Sequence, residues 1–274
     1  AANYCQANLT LGLSGDFPDG FEARLRGELA ALPVGERAPA PAAVPHNPQG
    51  IDVALIAKET RSTPISFGHP IPLTRSHPDF AALWLARAWL GEHRASNGRL
   101  FQRLREVRGL NYGNSAYIEA FPRGMYQFFP DPNIARRAQL FEIWIRPVVP
   151  EHGVFALKLG ISELRRLIER GLTDDEFENT RNYLAKNVFV ATKTQDQQLG
   201  YALDSAWYGM GDYTATMRDE LAKLTPARVN AVIRQYLSGE NLSVVMITKD
   251  VAGLRDALLS SEPTTITYEA PKPD

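Results

Sequence analysis

The chain has 274 residues, 44% of them hydrophobic and 22% charged, which is the composition of a globular protein with one large domain or two small ones. Lys and Arg number 30 against 31 Asp and Glu, so the net charge is −1. No long block of one sign suggests a nucleic-acid tail or a polybasic membrane arm, and no run reaches the roughly 18 apolar residues of a membrane span. We therefore expect no nucleic-acid partner and no membrane span.

The first residues lack the charged start and apolar run of a signal peptide. A strand-like run, Leu9–Leu13, follows almost at once. This opening is unusual for a complete polypeptide, and we expect a fragment of a longer protein whose missing part could have carried an export signal. The single cysteine, Cys5, cannot form an internal disulfide, so cysteine content indicates no compartment.

The first part of the chain alternates short strands and helices. The strand 9–13 precedes a helix whose apolar residues recur at helical spacing, namely Phe21, Leu25, Leu29 and Leu32. Residues 33–50 are rich in Pro and Ala, which predicts an irregular connector. The pattern then predicts strands 51–57 and 65–68 and helices 80–92 and 99–108, the second of which ends at Gly109.

The later part begins as sheet and becomes mostly helical. The predicted strands are 112–121 and 125–129, joined by a hairpin at 122–124, and then 140–145 and 242–247. The predicted helices are 154–170, 173–190 with a Thr173/Glu176 capping box, 197–207, 213–223, 226–237 and 251–259. This order predicts an α+β fold, with helices packed on one face of a mostly antiparallel mixed sheet. We expect one domain over 1–262 and a Pro-rich tail over 263–274, and no internal repeat is apparent.

Several enzyme classes lack their usual markers here. The chain contains no phosphate-binding P-loop, no dinucleotide fingerprint and no nucleophile elbow, so we expect no bound cofactor. Its five histidines also lack the spacing of a zinc site. Trp89-Leu90-Gly91-Glu92-His93 would match the inverted zinc motif His-x-x-Glu-His only if position 89 were histidine. We expect no metal in this chain and assign structural or solvent-exposed roles to His46, His69, His77 and His152.

The segment from Arg99 to Tyr112 is the most informative. Arg105 lies in the last predicted helical turn, Gly109 turns the chain, and Tyr112 begins a strand, so the guanidinium and the phenol could point to one place. Together they could bind a peptide carbonyl and the oxyanion formed from it. A structural interpretation stays open, in which Arg105 only interacts with the helix dipole and Tyr112 only packs in the sheet.

The same segment resembles the M16, or pitrilysin-type, metallopeptidases. Their second domains carry the pattern Ser-Arg-Leu-Phe-x-x-Leu-Arg-Glu-x-x-Gly-Leu-x-Tyr, and residues 97–112 read Asn-Gly-Arg-Leu-Phe-Gln-Arg-Leu-Arg-Glu-Val-Arg-Gly-Leu-Asn-Tyr. Residues 4–16 resemble the family's domain-opening strand, residues 171–177 a family helix start, and residues 241–248 its last strand. The resemblance therefore covers nearly the whole chain.

The resemblance implies a peptidase component without its own zinc. In the family, the Arg and Tyr that match Arg105 and Tyr112 grip the substrate and stabilise the reaction intermediate. The zinc belongs to a His-x-x-Glu-His motif in another domain or subunit, and this chain lacks that motif. We expect the partners to be a zinc-binding M16 domain or subunit, in a heterodimer if separate, and an unfolded peptide. The isolated chain is then expected to be inactive.

Two other functions remain open from the sequence. M16-like domains also serve as non-catalytic structural subunits, although the presence of both Arg105 and Tyr112 favours the peptidase. A plain peptide-binding module that uses a sheet edge would not need Arg105. The tail at 266–273 resembles those of exported bacterial M16 proteins, which predicts a periplasmic location and leaves the cytoplasm open.

Overall fold

A computed structural model describes residues 3–39, 44–92, 95–118, 132–133 and 135–266. In this part of the chain five strands form one sheet with the order β1-β5-β2-β4-β3. The strands are β1 (Ile51–Ala57), β2 (Thr63–Ile71), β3 (Asn114–Tyr117), β4 (Gln139–Val148) and β5 (Leu242–Thr248). β1 and β5 are parallel, and the other three pairs are antiparallel. The predicted α+β fold with a mostly antiparallel mixed sheet is confirmed.

Eight α-helices accompany the sheet in the described residues. They are α1 (Phe21–Leu29), α2 (Phe80–Leu90), α3 (Gly153–Arg170), α4 (Asp174–Ala191), α5 (Gln195–Tyr208), α6 (Tyr213–Lys223), α7 (Pro226–Tyr236) and α8 (Val251–Leu259). Short 3₁₀ turns lie at Gln6–Asn8 and Pro150–His152. None of the helices in these ranges is long and apolar enough to cross a bilayer.

The core lies on one face of the sheet. Along β2 the burial alternates with a period of two, and Ile65, Phe67 and Ile71 are buried among the core residues. The intervening residues Pro64 and Ser66 are only partly buried and point to the opposite face. Helices α2 and α3 contact the strands through the core, so the prediction of helices packed on one face is confirmed.

Local signals set several helix ends as the sequence predicts. Thr173 and Glu176 form the expected capping box at the start of α4, and Gly171 takes a φ of 69° after α3. Thr225 caps α7, whose first residue is Pro226. These ends depend on residues close in sequence, which is why they can be predicted without the tertiary fold.

Two predicted elements differ from the structure, and others fall on residues that it does not describe. Leu9–Leu13 is extended but is not a β-strand, because it pairs with no strand in the described residues. The helix predicted at 99–108 contains a π-helical segment, Phe101–Glu106. The predicted hairpin at 122–124, its second strand at 125–129, and the end of the tail lie outside the described residues.

A hydrogen bond from the loop after α7 to His69 links this loop to β2. Nε2 of His69 accepts a hydrogen bond from the main-chain N–H of Ser238 at 3.1 Å, and Nδ1 of the same ring lies 3.1 Å from the carbonyl oxygen of Pro70. A neutral ring suits both contacts, with the proton on Nδ1. Burial lowers the pKa of His69 below its ordinary value, against a smaller opposing effect of the Pro70 carbonyl. The histidine is structural, as the sequence predicts.

Gly68 marks a close approach between β2 and β4. A Cβ at this position would overlap the carbonyl oxygen of Phe141 and lie 2.9 Å from the Cα of Glu142. We expect Gly68→Ala to lower the free energy of unfolding by about 3 kcal/mol, the upper part of the range for overpacking. Urea unfolding followed by circular dichroism measures this. Gly27→Ala in α1, where nothing lies within 4 Å of the new Cβ, is the matched control and is expected not to lower stability.

The lowered pKa of His69 predicts a pH dependence of stability. The unfolded chain takes up the His69 proton as pH falls through about 6.5, while the folded chain takes it up only at lower pH. Stability is therefore fully present above about pH 6.5 and is lost as pH falls below it, by at most about 1.4 kcal/mol per pH unit. Urea unfolding from pH 7.5 to 5.5 should show this slope, and His69→Gln should flatten it. The same dependence of stability on pH in the unchanged chain and in His69→Gln would contradict the role given to His69.

Candidate functional site

The π-helical segment Phe101–Glu106 presents Arg105 at the edge of the domain. Leu100 and Leu104 are fully buried and anchor this segment in the core. The main-chain N–H of Gly109 donates to the carbonyl of Arg105 at 2.6 Å, and Gly109 has a φ of 65°, which reverses the chain. π-helical turns widen a helix locally and are frequent at functional sites.

The structure brings Arg105 and Tyr112 together. Nη1 of Arg105 donates to the carbonyl oxygen of Tyr112 at 3.1 Å, and its guanidinium carbon lies 4.5 Å from the centre of the Tyr112 ring. The same carbon lies 4.7 Å from the centre of the Phe101 ring. Both rings provide cation–π contacts that hold the guanidinium. Tyr112 is 73% exposed and Arg105 retains 34% of its side-chain surface, so both are accessible to a ligand.

Two asparagines hold the loop that carries Tyr112. Asn111 and Asn114 exchange side-chain hydrogen bonds of 2.7 and 3.0 Å, and Asn111 also donates to the carbonyl of Arg146 on β4 at 2.9 Å. The N–H of Arg146 donates to the carbonyl of Gly113 at 3.1 Å. The residues on both sides of Tyr112 are therefore fixed to β4, while its side chain stays exposed.

Glu163 of α3 holds the other side of the site. Its carboxylate accepts hydrogen bonds from Nε of Arg99 at 2.7 Å and from Nε of Arg103 at 3.1 Å, and Nη1 of Arg166 lies 3.9 Å away. Only 2% of the Glu163 side chain is exposed, whereas the arginines are partly exposed. Charge-assisted hydrogen bonds of this kind are stronger than neutral ones. Glu163 thus ties the segment that carries Arg105 to α3.

A shallow groove lies on the face of the sheet opposite the helical core. Its volume is about 160 Å³, and its lining includes Tyr117, Trp144, Arg146, Val245 and Ile247. The Tyr117 and Trp144 rings contact each other at 4.7 Å between centres. The groove adjoins the Tyr112 loop, because Arg146 both lines it and pairs with Gly113.

The described residues contain no group of three or more potential metal ligands close together. Glu92, from the near match to the zinc motif, instead pairs with Arg87 and accepts a hydrogen bond from the Tyr183 hydroxyl at 2.6 Å. Burial, and then the Glu92 carboxylate, raise the pKa of Tyr183 well above its ordinary value. His93 lies outside the described residues. Within the described ranges, the donor set does not fit a resident zinc ion.

Sequence reasoning proposed Arg105 and Tyr112 as site residues but missed the residues that support them. Asn111 and Asn114 lie close enough in sequence for their reciprocal bonding to be suspected. Glu163 gave no signal, because an acidic residue in a helix is usually exposed and only the fold shows that it is buried.

The comparisons with known proteins identify the family. The family model for the peptidase M16 inactive domain matches residues 1–184. A curated relative from Streptomyces coelicolor, named as an uncharacterized zinc protease, is 27% identical over 211 residues, which cover 75% of this chain and 42% of the relative. The chain belongs to the peptidase M16 family, in its inactive-domain class.

Solved structures show the same fold. The peptidase M16 inactive domain from Pseudomonas fluorescens superposes with a TM-score of 0.72 at 22% identity, over 91% of this chain and 55% of that one. A chain of complex III2 from Candida albicans gives a TM-score of 0.64 at 10% identity, over 89% of this chain and 57% of that one. The chain thus spans about half the length of these three relatives.

The buried position of Glu163 predicts a large loss of stability when its charge is removed. We expect Glu163→Gln to lower the free energy of unfolding by about 3 kcal/mol, because the change leaves Arg99 and Arg103 without their buried counter-charge. Urea unfolding measures the difference. Glu240→Gln is the matched control, since Glu240 pairs with Arg165 at 3.0 Å but keeps 74% of its side chain exposed, and it should change stability little. Equal effects of the two changes would contradict the buried role of Glu163.

Proposed function

We propose that this chain is the zinc-lacking part of an M16 metallopeptidase, which binds extended peptide and supplies Arg105 and Tyr112 to a zinc site on another domain or subunit. The observation that carries the proposal is the geometry of the pair. Arg105 is held between two aromatic rings and bonded to the Tyr112 main chain, while the Tyr112 phenol stays exposed. Membership of the M16 family supports the same assignment.

The chemistry of the pair suits a peptide carbonyl. The Arg105 guanidinium stays charged at all relevant pH values and has N–H groups beyond the one that bonds Tyr112. The Tyr112 hydroxyl adds a rotatable donor. Hydrogen bonds and positive charge directed at the carbonyl oxygen stabilise the negative charge that develops there when the peptide bond is attacked. Because the aromatic rings fix the guanidinium in advance, little reorganisation is needed during the reaction.

The zinc belongs to the partner in this proposal. A bound zinc ion provides a nucleophilic water at neutral pH and polarises the carbonyl. The described residues of this chain offer no cluster for such an ion. The isolated chain is therefore proposed to be inactive, and a zinc-binding M16 domain or subunit is its proposed partner.

The groove beside Tyr112 supports binding of an extended, unfolded peptide. The groove is lined mostly by apolar groups, including the Tyr117 and Trp144 rings, which suit an apolar side chain of the substrate. A folded protein does not offer a side chain and a free main-chain carbonyl in this arrangement. Export to the periplasm remains a prediction that rests on the sequence of the tail at 266–273.

A non-catalytic role is the alternative. The structural likeness to a chain of complex III2 shows that the same fold occurs in that assembly. A peptide-binding role could use the outer edge of β1, which within the described residues pairs only with β5. Neither role requires an exposed Tyr112 beside a fixed Arg105, which is why the peptidase role is preferred.

Hydrolysis of unstructured fluorogenic peptides tests the proposal. The chain alone, with zinc, should be inactive, and activity should appear when the zinc-binding M16 domain or subunit encoded with it is added. Arg105→Ala and Tyr112→Phe should each lower kcat/KM of the mixture by about 10²–10³, the effect of removing one donor to a developing oxyanion.

Arg234→Ala provides the control, because this arginine is exposed on α7. It should leave kcat/KM unchanged. A folded complex with no activity against any peptide, or full activity after Arg105→Ala, would replace the proposed peptidase role with the structural or peptide-binding one.

A further inference from the structure

Residues 9–29, which we name the amino-terminal strand–helix unit, form an open groove instead of a core. Leu9, Leu11 and Leu13 are 43, 50 and 43% exposed, and α1 has no buried residue. The three leucines face a groove of about 670 Å³ whose other wall is the apolar side of α1, formed by Phe21, Leu25 and Leu29. Apolar residues that alternate along an extended segment normally mark the buried face of a strand.

In the described part of the chain, the extended segment of the unit, residues 10–17, is also unpaired. Within the described residues, the main chain of residues 10–17 takes part in no hydrogen bond with another main-chain group. An extended segment with both edges open exposes donors and acceptors that a sheet would satisfy. Among the described residues, the unit therefore has neither a core on one face nor strand neighbours on its edges.

The outer side of α1, in contrast, is complete. Arg26 pairs with Glu22 at 2.7 Å and Arg24 with Glu28 at 3.6 Å, and all four side chains are at least 66% exposed. Such i,i+4 pairs are typical of the water-facing side of an amphipathic helix. In the part of the chain that the structure describes, no layer covers the side of α1 that faces the groove.

β5 and α8 provide a comparison that indicates the kind of layer this unit needs. Asn8-Leu9-Thr10-Leu11-Gly12-Leu13 is similar to Asn241-Leu242-Ser243-Val244-Val245-Met246, and a helix follows each run. The residues that correspond to the three exposed leucines, Leu242, Val244 and Met246, are at most 1% exposed. They are buried because β5 lies between β1, which is parallel to it, and β2, which is antiparallel. The repeat is too short to be apparent before the register is known.

We propose that the amino-terminal strand–helix unit is the last strand and helix of a second M16-type domain. Its strand would lie between a parallel and an antiparallel strand of that domain, as β5 does here, with the three leucines facing the helical layer. A second copy of this chain does not fit, because its own β5 already fills the corresponding position. The partner must be an M16 sheet that lacks its last strand.

The contact between the amino-terminal strand–helix unit and α5 of this domain agrees with that placement. Gly12 lies on the face opposite the leucines and approaches α5, where a Cβ would come 2.7 Å from Leu199 and 3.0 Å from Leu203. Gly12 corresponds to Val245, which points to the open face of the sheet in this domain. The open face of the second sheet would therefore meet α5, and the unit would join the two domains.

Binding to a zinc-binding M16 domain tests the inference. The full chain is co-expressed with such a domain in two forms, one that ends before its last strand and helix and one that keeps them. The chain should form a stable complex with the shortened form and bind the complete form much more weakly. Leu11→Asp should weaken binding to the shortened form by at least about 100-fold, since it places a carboxylate in the new core.

Leu259→Asp, at a leucine 74% exposed on α8, is the matched control and should leave the dissociation constant unchanged. Hydrogen exchange should be fast at residues 10–17 in the free chain and slow in the complex. Equal binding of both forms, no complex with the shortened form, or self-association of the chain through Leu11 would each overturn the inference.

The inference shares its partner with the proposed function, but binding tests it independently of hydrolysis. If Leu11→Asp weakens binding while Arg105→Ala leaves the activity of the complex unchanged, the docking is supported and the catalytic role is refuted. If the complex is active and Leu11→Asp does not weaken binding, the catalytic role is supported and the docking is refuted.

Discussion

The carboxylate of Glu163 joins the two parts of the molecule that the proposed activity needs. It lies on α3, which packs on the sheet, and it accepts hydrogen bonds from Arg99 and Arg103 of the segment that carries Arg105. A buried carboxylate needs such partners, because burying its charge unpaired would cost several kcal/mol. The position of Arg105 is thus fixed by an electrostatic requirement of the core, and Asn111 and Asn114 fix Tyr112 in the same way through β4. The pair is held from two independent sides.

Most of the fold could be predicted because its signals are local. The helices α6 and α8 agree with the sequence pattern at both ends, and the capping box at Thr173 determines the start of α4. The order of the strands was not predictable in the same way. The position of β5 between β1 and β2 brings together residues about 190 positions apart, as the contact between Gly50 and Asn241 illustrates. Such pairing depends on the whole core and leaves no mark in a short window of sequence.

The strand predicted at Leu9–Leu13 is wrong for a different reason. The pattern correctly describes a segment with the side-chain alternation of a strand, but a strand exists only where another strand satisfies its main chain. Similarly, the π-helical turn at Phe101–Glu106 depends on the packing of Leu100 and Leu104 and is invisible to helical periodicity. Arg105 and Tyr112 could be found from the sequence because a family pattern contains them, whereas Glu163 required knowledge of which helix lies beneath them.

The edge strand β1 has a consequence for the behaviour of the purified chain. Ile51, Val53 and Ile56 are 39–46% exposed, and the strand carries no proline or lysine and a single charge, Asp52, to protect its edge. In the described structure its outer main-chain groups have no strand neighbour. Two copies that meet at this edge can extend one sheet into the other, so loss of dissolved protein should rise with concentration and storage time. Aggregation of this kind competes with assembly. The chain should therefore stay in solution better when it folds together with a partner that covers its open edges.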